Sequence, residues 1–158
     1  MAFRLGQGID IHPCAAGREL FLGGGEIPHA KGLVGHSDAD ALTHAICDAL
    51  LGALAQGDIG RHFPDTDPAH KNRPSLFFLR HVAKIVKDEG WRISNIDSTI
   101  VTEEPILRPH IDLMRRTLAD TLAIEIEQVS VKATRPEKLG AIGRGEGLTA
   151  VAIALIES

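Results

Sequence analysis

The sequence predicts an α+β fold, a mixed sheet with helices packed on one face, and three patterns of apolar residues predict it. Phe3–Ile11 alternates Phe3, Leu5, Ile9 and Ile11 with polar or glycine positions, the period of a half-buried strand. Asp40–Gln56 repeats Leu42, Ala45, Ile46, Ala49, Leu50 and Ala53 at helical spacing. Leu148–Ile156 is an almost continuous apolar run whose length suits a buried strand better than a helix.

After the first strand, Glu19–Leu22 is a short strand able to pair with it ahead of the Gly23-Gly24-Gly25 turn. Pro28–Asp38 reads as a loop into the first helix, with Ser37 or Asp38 placed to cap it and Gly57 to stop it. Asp58–Arg73 reads as loop, because FPDTDP at Phe63 puts two prolines and two aspartates in six residues. Ser75–Glu89 is a second amphipathic helix closed by Gly90, and Ile93–Thr102 is a strand rich in β-branched residues. Pro109–Leu122 repeats Ile111, Met114, Leu118 and Leu122 as a third helix, and Val129–Thr134 alternates as a strand. The order ββααβαββ suits helices on one face of the sheet, and without repeat or linker residues 1–158 are expected to form a single domain. A buried final strand needs cover on both faces, which hints at self-association.

Composition narrows the class. With 44% hydrophobic and 24% charged residues, 158 residues can bury a proper core. A net charge of −4 argues against nucleic acid or an acidic membrane surface as partner. No run approaches the roughly 18 apolar residues that span a bilayer. The N-terminus lacks a secretory layout, and Cys14 and Cys47 form no disulfide framework, so a cytoplasmic protein is expected.

Chemistry concentrates at Asp10, His12 and His44. Asp10 and His12 are two apart at the end of a strand, so their side chains point the same way. His44 lies on the first helix between Asp40 and Asp48, four residues away on either side, which puts the three on one polar stripe. One carboxylate and two imidazoles make a three-ligand zinc set with the fourth tetrahedral position open, as catalytic sites keep it. The neighbouring carboxylates are placed to orient the imidazoles through their second N–H. The alternative, a chance D-x-H beside a surface histidine, weakens because His36, Asp38 and Asp40 crowd the same stretch.

Three loops suit a phosphorylated ligand. Around His36 and Ser37, a helix N-terminus offers N–H groups to an anion, although Ser37 can equally serve as a cap alone. Asp58-Ile59-Gly60 and Phe63–Asp67, with Asp65 and Asp67, can hold sugar hydroxyls or simply form turns. Lys132–Gly140, with Thr134, Arg135 and Glu137, continues to Gly143–Gly147 with Arg144, and offers cations, a hydroxyl and glycine-exposed N–H groups to phosphate. Glu137 can hold a harder cation such as magnesium. Neither a Walker A sequence nor a dinucleotide fingerprint is present.

G-x-D-x-H at Gly8–His12, HSDAD at His36–Asp40 with His44, DIG at Asp58, FPDTDP at Phe63 and EKLG…GRGEG from Glu137 together resemble one family in its own order. It is the 2-C-methyl-D-erythritol 2,4-cyclodiphosphate synthase family of the non-mevalonate isoprenoid pathway. The resemblance implies a homotrimer with active sites between subunits. It also implies a substrate, 4-diphosphocytidyl-2-C-methyl-D-erythritol 2-phosphate, cyclised with release of CMP. By similarity Asp10, His12 and His44 bind zinc, with the substrate's β-phosphate in the fourth place, and Glu137 holds magnesium or manganese between the α- and β-phosphates. His36 and Ser37 resemble the contacts on the 2-phosphate side, and Asp58 a contact to erythritol hydroxyls.

Three positions depart from the family pattern. Arg135 follows Thr134 where a second threonine is usual, and can either take over its assistance to the transition state by charge or point elsewhere. Ala141 stands where a phenyl ring lines the pocket. Ile106 stands where a lysine follows the proline, with Arg108 available nearby. Two other readings accommodate the same residues: a zinc-dependent phosphohydrolase using metal-bound water, and a non-catalytic trimer that binds a phosphorylated ligand.

Overall fold

The computed structural model describes all residues, 1–158. Five strands make one sheet in the order β4-β1-β7-β5-β6: Lys31–Leu33, Phe3–Ala16, Gly147–Glu157, Arg92–Val101 and Val129–Thr134. The pair β5–β6 is parallel and the other pairs are antiparallel, so the sheet is mixed, as predicted. The final apolar run is the central strand β7, flanked by β1 and β5. Helices α1 (Ala41–Ala53), α3 (Ser75–Asp88) and α4 (Ile111–Leu122) lie where sequence periodicity put them. Two further helical segments are single turns, α2 (Ile59–His62) and α5 (Gly140–Gly143).

Several local expectations change. The short second strand β2 (Leu20–Leu22) does not pair with β1; it forms a separate hairpin with β3 (Gly25–Ile27), across Gly23 and Gly24 at φ of 60° and 80°. Instead β1 runs on to Ala16 and pairs with β4, inside the stretch expected to be loop. The stretch Asp58–Arg73 holds α2 and a 3-10 turn at Pro68–His70. Neither Ser37 nor Asp38 caps α1. Asp40 does, accepting from Thr43 N–H at 3.0 Å. It is fully buried, and its carboxylate also takes the Gly23 and Gly24 N–H groups at 2.9 and 2.7 Å. Asp40 therefore ties the hairpin to the helix, and is not the exposed partner of His44 expected from their spacing.

The packing of α1 on the sheet sets the geometry of everything near Asp10. Opposite residues of β1 and β7 share a face: Gly6 with Ala154, Gly8 with Ala152, Asp10 with Ala150, His12 with Leu148. This face is buried, and its small residues let α1 lie almost on the backbone. A Cβ at Gly6 would stand 1.9 Å from Ala49 O, and one at Gly8 1.9 Å from Ala45 O. The helix therefore passes close enough for His44 to reach the next residues of the same strand face.

The other face is the reverse of what alternation suggested. Phe3, Leu5, Ile9 and Ile11 point away from the helices and are 57%, 66%, 52% and 62% exposed. Ile153 of β7, opposite Gln7, continues this row at 41% exposure. The pattern correctly signalled a strand, but the apolar side faces outward, leaving an uncovered hydrophobic sheet face on the single chain.

Candidate functional site

Asp10 and His12 reach the site from one face of β1, and His44 from the first turns of α1 above it. Asp10 Oδ2 is 2.8 Å from His12 Nε2 and 3.3 Å from His44 Nδ1, and one donor atom from each residue lies within 4.8 Å of the others. Bonds of about 2.0–2.1 Å at the tetrahedral angle separate neighbouring donors by about 3.3 Å, so the set is of zinc-binding size.

Proton positions make the same point. His12 Nδ1 lies 2.8 Å from Val34 O, which can only accept, so Nδ1 carries the proton. A neutral His12 then turns a bare Nε2 lone pair toward Asp10 Oδ2. In that neutral state no proton lies between these two buried atoms, and no other group satisfies them. A cation satisfies both, whether it is a proton or a metal ion. Burial pushes the Asp10 carboxyl up, but hydrogen bonds and charge from His12 and His44 outweigh it and hold the group at about 2. The same contact raises His12 above its ordinary value, against its burial. Burial lowers His44, yet Asp10, with Asp40 and Asp38 farther off, turns the net shift upward. The donor set thus fits a divalent metal ion.

A cavity of about 220 Å³ opens beside these three residues, lined also by His36, Ser37, Ile59, Gly60, Phe63, Asp65, His70, Lys71 and Phe78. Asp48, the expected partner of His44, instead accepts the Ile59 N–H at 2.7 Å and so holds the Asp58–Gly60 turn against α1. Asp58 caps α2 through the Arg61 N–H, and Asp67 caps the next turn and pairs with His70. Neither Asp58 nor Asp67 lines the cavity.

The C-terminal candidates lie elsewhere in the chain. Thr134 and Arg135, at the end of edge strand β6, border a second cavity with Ile106 and Arg108. Glu137 is exposed on a turn with φ of 54°, and the exposed Ala141 and Arg144 belong to and follow α5. None of these seven residues lines the cavity beside Asp10.

Lys71, His70, Phe78 and Ser75 were not anticipated. Ser75 Oγ is 2.8 Å from His44 Nε2 and also donates to Asp38. Nothing in the sequence marks this serine, because only the docking of α3 on α1 brings it across 31 positions.

A sequence model of the YgbB family matches residues 3–157. The chain belongs to this family. A 2-C-methyl-D-erythritol 2,4-cyclodiphosphate synthase from Syntrophomonas wolfei is 59% identical over 98% of this chain and 98% of its own. A solved synthase structure of the same description, in a CDP-bound form, shares 34% identity at a TM-score of 0.91, covering 98% of this chain and all of that one. The bifunctional IspDF of Campylobacter jejuni matches 98% of this chain at 37% identity and a TM-score of 0.94, but this chain spans only 42% of its length. Membership in the YgbB family agrees with the mixed sheet, which the matched synthase structure shares. No helix is long and apolar enough to cross a membrane.

Proposed function

We propose that residues 1–158 form a single cyclodiphosphate synthase domain, acting in the cytoplasm on 4-diphosphocytidyl-2-C-methyl-D-erythritol 2-phosphate. An oxygen of the 2-phosphate forms a bond to the β-phosphorus. The bond from that phosphorus to the bridging oxygen of the α-phosphate breaks, CMP leaves, and 2-C-methyl-D-erythritol 2,4-cyclodiphosphate remains. The observation that carries this reading is the convergence of Asp10, His12 and His44 beside a cavity lined by groups suited to a phosphorylated polyol.

These three residues would hold zinc, and Glu137 magnesium or manganese. When bound, such ions draw charge from phosphate oxygens and align an in-line displacement. His36 and Ser37 contact the 2-phosphate side, and Lys71 offers the same cavity a further cation. Ile59, Gly60, Phe63 and Asp65 form the wall around the erythritol carbons and hydroxyls, on turns that Asp58 and Asp67 cap. No protein nucleophile is required, because the substrate carries its own.

The second half of the site belongs to a neighbouring copy in a homotrimer. Thr134, Arg135, Glu137, Ala141 and Arg144 would face the diphosphate and cytidine of a substrate whose β-phosphate rests on the partner's metal ligands. Two features support this arrangement: these residues do not line the cavity beside Asp10, and the open sheet face carries a row of exposed apolar residues interrupted at Gln7. Phosphorus NMR of the product tests the reaction. Cyclic diphosphate and CMP in equal amounts are expected, whereas a linear, hydrolysed product would assign the chain to phosphohydrolysis, and no turnover to a binding protein.

A further inference from the structure

We propose that Ser75 is the positioning residue for His44, relaying the Asp38 carboxylate to the outer nitrogen of the imidazole. The direction of this chain of hydrogen bonds follows from its ends. The Asp38 carboxylate can only accept, and it takes both the Ser75 N–H, at 2.9 Å, and the Ser75 hydroxyl proton. With its proton committed, Ser75 Oγ can only accept from the atom on its other side, which is His44 Nε2 at 2.8 Å. His44 is thereby held with the proton on Nε2 and a free lone pair on Nδ1, the nitrogen that faces Asp10.

Two circumstances give Ser75 this role alone. It is fully buried, and its removal takes from the Nε2–H the partner it has at 2.8 Å. Ser37 Oγ lies 3.4 Å from the same nitrogen, too far to compete with a 2.8 Å bond. The two imidazoles are therefore oriented by different means. His12 uses the backbone carbonyl of Val34, whereas His44 uses a side-chain relay from the first residue of α3. Docking of α3 and readiness of the metal site become one event.

The relay also caps α3, whose own cap residue Pro74 offers no side-chain bond, so a purely structural role is the competing account. Zinc binding to the folded, metal-free protein separates the two. Under conditions where circular dichroism shows both proteins folded, chelator competition should give Ser75→Ala a zinc dissociation constant raised about 10–100-fold. Ser75→Thr, which keeps the hydroxyl, should return it to within about threefold. In the zinc-loaded wild type, the His44 Nε2 proton should be visible by 15N-edited NMR and protected from exchange, and that signal should vanish in Ser75→Ala. An unchanged zinc constant in Ser75→Ala overturns the proposal. So does rapid exchange of the Nε2 proton in the wild type, a measurement that stands even where the alanine variant does not fold. The inference rests on the metal assignment made above, and the two fail differently. A wild-type protein that binds no zinc removes the assignment, whereas equal zinc affinity in wild type and Ser75→Ala removes only the relay.

Discussion

At the scale of residues, a zinc ion held by Asp10, His12 and His44 would contest the same lone pairs with protons. Asp10 stays ionised down to about pH 2, and in the metal-free protein it favours the charged forms of His12 and His44. Both histidines are raised above 6.5, so their stabilisation is full below that pH and is lost as pH rises through their folded values. Zinc requires them neutral, and its affinity runs the opposite way, falling as pH drops through the same range. Thermal melts between roughly pH 6 and 9 should therefore show the metal-free protein weakening with pH while the increase in Tm caused by zinc grows. A zinc-induced shift independent of pH would mean that these histidines are not its ligands. Replacing a ligand should cost more than altering its supports. Asp10→Asn and His12→Ala are expected to lose zinc affinity by more than the roughly 10–100-fold typical of outer-shell changes. Elemental analysis after purification without added metal checks this, and full occupancy in either variant would remove that residue from the ligand set.

At the scale of elements, the close approach of α1 to β1 brings His44 to Asp10, and glycine is what permits it. Gly8→Ala places a methyl 1.9 Å from Ala45 O, a backbone atom that cannot turn aside. The cost is expected to be about 2–3 kcal/mol, lowering Tm by roughly 4–12 °C, with loss of zinc as α1 lifts from the strand. Gly52, inside the same helix, meets nothing closer than Gln7 O at 3.6 Å. There the same substitution should stabilise by up to about 1 kcal/mol, since alanine is the better helix former. Calorimetry of the two variants should give shifts of opposite sign; a common sign would deny the close packing.

This contact also marks the limit of what the sequence discloses. The alternation in β1 identified a strand, and D-x-H placed Asp10 and His12 on one of its faces, where His44 joins them. Nothing local told which face would meet the helix, because glycines read as turn formers as readily as docking sites. Strands β3 and β4 are too short to have a period, and their pairing was illegible for that reason. Ser75 was equally hidden, since its meaning arises only from the packing of α3 on α1.

At the scale of the whole molecule, the two groups of candidate residues do not line a common cavity. Asp10, His12 and His44 face the cavity near α1, while Thr134, Arg135 and Glu137 gather at and beyond the end of the opposite edge strand. An uncovered row of Phe3, Leu5, Ile9, Ile11 and Ile153 runs along the sheet's open face. Burying that row in a closed ring of copies would protect it from water, and a heterologous interface would set unlike half-sites against each other. Mixing two inactive proteins tests this directly. His44→Ala lacks the metal half and Glu137→Ala lacks the other, so each should be inactive alone. Unfolded together and refolded in equal amounts, they should regain about a quarter of the wild-type activity, because each site draws its halves independently from two chains. A site built within one chain predicts no recovery at any ratio. Placing a charge in the apolar row, as in Ile9→Lys, should reduce both the assembled mass by sedimentation and the activity together. Loss of assembly with full activity would show that a single copy is sufficient.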